Sequence, residues 1–67
     1  MKNLELEKRL ETAFIAFQKL NLCKESFILI NDLINLAGYE LDNYKIFGLQ
    51  TAKNTIQTIE NKLKYIK

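Results

Sequence analysis

Residues 24–38, Lys-Glu-Ser-Phe-Ile-Leu-Ile-Asn-Asp-Leu-Ile-Asn-Leu-Ala-Gly, form the most apolar stretch of the chain, and the fold turns on how they are read. A turn of about 100° per residue places Phe27, Leu29, Ile30, Leu33, Ile34, Leu36 and Ala37 on one half of a helix. A stripe that wide serves two neighbours. A helix over 24–37 is therefore expected to lie between two others, with Gly38 as its C-terminal cap. The opposite half holds Lys24, Glu25, Asn31, Asp32 and Asn35, with Ile28 stranded among them. Single exposed apolar residues are common, but Ile28 with Asn31, Asp32 and Asn35 is the candidate partner-binding patch.

Working upstream, Leu6, Leu10, Ala13, Phe17 and Leu20 alternate spacings of four and three, which predicts a helix over about 3–20. Glu5 and Arg9 are spaced for an i,i+4 ion pair, and Asn21 is a plausible left-handed stop. Downstream, residues 38–43 read as a linker in which Asp42 or Asn43 caps a third helix over about 44–66. Gly48 is the weak point of that helix, costing about 1 kcal/mol against Ala. From Leu49 the sequence is heptadic, with Leu49, Ile56 and Leu63 at one apolar position and Ala52, Ile59 and Ile66 at the other. Fewer than three heptads are present, so the stripe suits either a strand of a bundle or an oligomer interface formed by Leu49, Ile56, Ile59, Leu63 and Ile66.

Composition narrows the class. At 67 residues the chain makes one domain at most, spanning 1–67, and a domain of this size buries only about 60% of its unfolded surface. Cys23 is the only cysteine and histidine is absent, so neither a disulfide nor a zinc site can staple the fold. Eleven Leu, eight Ile, four Phe and three Tyr can build a core, and proline is absent, which favours helices throughout. A lone cysteine fits a reducing cytosol, and Cys23 reads as a small semi-buried hydrophobe. The first residues become charged at once and offer no apolar signal core. The longest apolar run, Ala13 to Phe17, is far short of the ~20 residues of a membrane helix. A cytoplasmic protein with no membrane association is expected, and its many Lys, Asn and Ile residues suggest an AT-rich bacterial or phage genome.

The catalytic signals are poor. General acid–base work most often uses His, and nucleophilic triads need a base beside Ser or Cys. Ser26 is the only serine, and two isolated glycines make no phosphate loop. The pair Glu7 and Glu11 shares a helix face, but di-metal helical sites add histidines that this chain lacks. Residues 24–35 look somewhat like the setting of the motif in helical-hairpin phosphatases of aspartyl phosphates. That motif requires a carboxylate where this chain has Asn35, and an amide cannot replace it.

Charge is unevenly distributed, at +1 over residues 1–22, −3 over 23–42 and +4 over 43–67. Residues 54–61, Asn-Thr-Ile-Gln-Thr-Ile-Glu-Asn, resemble the recognition helix of a helix-turn-helix repressor, which would make Lys53, Lys62 and Lys64 phosphate contacts. Gly48 stands eight residues before Ile56, where that family's turn glycine stands about six before, and Tyr44 occupies the position of an expected alanine.

Together these features predict an all-α chain, either a compact three-helix bundle or a helical hairpin with a long C-terminal helix, completed by dimerisation. The expected function is a small non-enzymatic protein-interaction module without cofactor or metal, acting on a protein partner and self-associating. DNA binding through the third helix is the alternative.

Overall fold

The computed structural model describes residues 4–65, which form four helices: α1 (Leu4–Gln18), α2 (Lys24–Asp42), α3 (Tyr44–Phe47) and α4 (Leu49–Tyr65). The fold is all-α. α1 closes with tight bonds from the Lys19 and Leu20 amides to the Ala16 and Phe17 carbonyls. Asn21 is not a left-handed stop, because among the described residues only Gly48 has positive φ.

The largest departure from expectation is at Gly38. It does not cap α2, and residues 38–43 are not a linker; the helix continues through Gly38 to Asp42. The reason is a balance of magnitudes. A mid-helix glycine costs about 1 kcal/mol, whereas continuing the helix buries Leu41 in register with Ile34 and Ala37. Burying a leucine is worth about 1.5–3 kcal/mol. The helix stops at Asn43, whose backbone N–H donates to the Tyr39 carbonyl at 3.1 Å and whose side-chain amide donates to the same oxygen at 2.9 Å. Asn43 thus closes α2 with its side chain, and it begins α3 without a side-chain cap.

The expected third helix is broken in two. Gly48 adopts φ 85°, ψ 146°, a region essentially reserved for glycine, and separates the single turn α3 from α4. The break redirects the chain so that α4 packs back along α2.

Three helices run up, down and up. Phe17 of α1 meets Phe27 of α2 with ring centroids 4.9 Å apart, while Glu7 shares a groove with Asp42, so α1 and α2 are antiparallel. Glu40 meets Thr55, while Ser26 and Tyr65 line one hollow, so α2 and α4 are antiparallel as well. The core gathers Leu6, Ala13 and Phe17 from α1, Ile30, Ile34, Ala37 and Leu41 from α2, and Ala52, Ile56 and Ile59 from α4. Ile56 and Ile59, expected at an oligomer interface, are 0% exposed within the single chain. Leu63 packs against the same core, Leu49 is exposed, and Ile66 lies outside the described residues. Of the described heptad positions, Ala52, Ile56, Ile59 and Leu63 are taken up by intrachain packing and Leu49 is not.

One charged side chain is buried with them. Glu40 is 6% exposed and accepts a hydrogen bond from the Thr55 hydroxyl at 2.6 Å, tying α2 to α4. Removing the donor leaves a buried acceptor unsatisfied. Thr55→Val is expected to cost about 1–3 kcal/mol in chemical denaturation, and Glu40→Leu with Thr55→Val to recover most of that loss, since replacing both partners by apolar groups can be nearly neutral.

The two glycines make opposite predictions. A Cβ added at Gly38 meets nothing within 4 Å and sits in ordinary helix, so Gly38→Ala is expected to stabilise by about 0.5–1 kcal/mol. Gly48→Ala meets open space too, but its positive φ makes it destabilising by about 1 kcal/mol or more. Thermal melts of the two variants should move in opposite directions, by several degrees each.

Candidate interaction surfaces

A shallow, open groove of about 720 Å³ lies between α1 and α2. Its apolar lining comes from Leu10 and Phe14 on one wall and Ile34 and Leu41 on the other. Gly38 lines it from the α2 side without a side chain, and a Cβ there would meet nothing within 4 Å. Glu7 and Glu11 line it from α1 and Asp42 from α2, and neither lysine nor arginine does. At one edge Tyr39 packs its ring against Phe47 of α3, with centroids 5.5 Å apart. The glutamate pair read from the sequence as a shared helix face is therefore part of an acidic margin to an apolar trough.

The candidate patch on α2 lies beside it. Ile28, Asp32 and Asn35 are exposed and Asn31 is half-buried, with Ile28 at 47% exposure. Asn35 also lines the groove. Because Ile28, Asn35 and Asp42 follow one another at intervals of seven residues, the patch and the groove form one continuous face of α2. Phe27, Leu29 and Leu36, expected to be covered by neighbouring helices, are about half exposed instead. The bundle is too thin to cover a stripe that wide: α1 and α4 occupy its centre, leaving its margins uncovered.

The candidate nucleic-acid contacts do not gather on one face. Lys53 lines a hollow between α1 and α4 with Glu5 and Arg9, whereas Lys62 lines the hollow between α2 and α4. Lys64 is exposed, its Nζ 5.8 Å from the Tyr65 ring centroid. Between these flanks the solvent face of α4 presents Gln50, Asn54, Gln57, Thr58 and Asn61, all exposed. Arg9, the chain's one arginine, does not pair primarily with Glu5. It grips Glu60 with both Nε, at 3.1 Å, and Nη2. A forked charge-assisted pair outcompetes an i,i+4 contact worth a few tenths of a kcal/mol. Hydrogen bonding to Glu60 raises the guanidinium pKa further above its ordinary value.

Cys23 is exposed, not semi-buried, and occupies the N-cap of α2. Its Sγ lies 3.3 Å from Ser26 Oγ. Hydrogen bonding with the Ser26 side chain, then with the Ser26 backbone, holds the thiol below its ordinary range. Among the described residues no three His, Cys, Asp or Glu side chains come together in a way that could hold a metal ion, and no helix is long and apolar enough to cross a membrane.

Sequence reading missed the groove because it ended α2 at Ala37. The available signal was the spacing of Ile34, Ala37 and Leu41, which carries the helical period through the glycine. Comparison of the chain with protein-family models, with curated proteins and with solved structures finds no match to any of them.

Proposed function

We propose that this chain is a small, non-enzymatic protein-interaction module, a regulator, inhibitor or assembly factor that works by occupying a protein surface. The observation that carries the reading is the exposure of α2. The central helix leaves Phe27, Ile28, Leu29, Leu36 and Tyr39 between 46% and 58% exposed. Ile28, Leu29, Leu36 and Tyr39 fall within about 100° of one another around α2, and contiguous exposed apolar surface marks docking sites more often than scattered residues do. Self-association belongs to the same reading. With Ile56 and Ile59 spent inside the chain, a homodimer would use the Leu29 and Leu36 margin of α2, and a short chain gains the most from such added burial.

A second reading, DNA binding through α4, draws on its exposed amides, since Asn and Gln suit adenine edges. It ranks lower because Arg9, the natural phosphate anchor, is held by Glu60.

Ile28→Asp should leave the melting temperature nearly unchanged, because the side chain is already half in water. It should abolish capture of the partner that the wild-type chain retains from source-cell lysate. In the same series, light scattering at micromolar concentration should show a dimer that Leu29→Glu with Leu36→Glu returns to the 7.9 kDa monomer. Capture that survives Ile28→Asp, together with a wild-type monomer, would remove the reading.

For the DNA alternative, a gel-shift titration at about 150 mM salt is expected to show no sub-micromolar, sequence-dependent binding. Such binding, with a salt slope of about −0.9 per phosphate contacted, would reverse the ranking.

A further inference from the structure

We infer that the groove between α1 and α2 seats a basic amphipathic helix supplied by a partner protein. The inference rests on the interaction-module reading and assigns one site and one partner chemistry to it. Three observations meet there. The trough lies between two antiparallel helices, so a helix laid along it completes a four-helix arrangement and repeats the helix-in-groove mode of recognition. Its accessible apolar side chains, Leu10 and Phe14 from α1 and Tyr39 from α2, with the nearly buried Ile34 and Leu41 also lining it, offer a track for residues at i, i+3 or i+4, and i+7 of the incoming helix. Its charged lining is of one sign: Glu7, Glu11 and Asp42.

Charge decides between occupants. An acidic or neutral helix would bring its flanks against three carboxylates, whereas Lys or Arg on those flanks meets opposite charge as the apolar face docks. The length fits as well: Glu7 to Phe14 covers about two turns, or about 10 Å of helix axis, enough for three apolar anchors. Gly38 sets access to the trough. Any side chain there projects into open space that the occupant would fill. The exclusion is specific to this position, because the glycine is helical and a larger residue there raises helix propensity.

The probe is a fluorescein-labelled amphipathic peptide of 15 residues made of Leu and Lys, with Leu at i, i+3, i+4 and i+7, paired with a control in which Glu replaces Lys. Anisotropy is measured on the intact chain, and amide shifts are mapped by two-dimensional NMR. The Leu/Lys peptide is expected to bind at least tenfold more tightly than the Leu/Glu peptide, despite the chain's net charge of +2, and to shift the amides of Leu10, Phe14, Gly38 and Tyr39. Glu7→Lys with Glu11→Lys should weaken it about tenfold and improve the control. Gly38→Leu should abolish binding without lowering the melting temperature. Equal binding of the two peptides, shifts centred outside the groove, or full binding by Gly38→Leu would overturn the inference. Partner capture sensitive to Ile28→Asp without groove occupancy would overturn this site alone and leave the module reading standing. Groove occupancy with capture indifferent to Ile28→Asp would support the site and count against the wider patch.

Discussion

The seam between α2 and α4 is the constraint on which the rest of the structure depends. Among the described residues the most deeply buried, Ile30, Ala37, Ala52, Ile56 and Ile59, all belong to these two helices and are no more than 1% exposed. The alanines hold little volume, which lets two backbones approach while the isoleucines fill the space around them. The same seam takes in Glu40, and the Thr55 hydroxyl makes that burial tolerable. α1 packs against this pair of helices, and the Arg9–Glu60 fork ties it to α4.

Gly48 marks the break between α3 and the helix that forms the seam. The positive φ at Gly48 breaks the helix and folds the stripe inward. The feature that suggested an oligomer from sequence thus contributes Ile56 and Ile59 to the core of the single chain, and part of the apolar surface left over lies on α2. A central helix with half-exposed Phe27, Leu29 and Leu36 follows from a stripe broader than two neighbouring helices can cover.

The two candidate faces differ in the chemistry they present. Along α4 the outward residues are neutral amides with lysines on separate sides, and the arginine that would strengthen a phosphate contact is engaged elsewhere. Along α1 and α2 the surface is concave, apolar and acidic at its margin. Concavity matters because a groove removes water from both sides of an inserted side chain, which a convex helix face does not. This contrast is the reason protein recognition by α1 and α2 is proposed ahead of nucleic-acid recognition by α4.

Local periodicity carried the all-α class, the three long helices, the exposure of Ile28 and the weakness at Gly48, because each depends on residues within a turn or two of one another. Several features were decided only by tertiary packing. α2 runs through Gly38 because Leu41 finds a core to enter, and that gain, invisible to local propensity, exceeds the glycine's cost. Arg9 turns from Glu5 to Glu60 because a partner 51 residues away in sequence offers a better fork. Glu40 becomes a buried acceptor, and Ile56 and Ile59 become core, only once α4 has folded back. The groove is the last of these. It combines side chains from two helices with the missing side chain of a glycine, and a linear sequence does not show which absences face each other until the helices are packed.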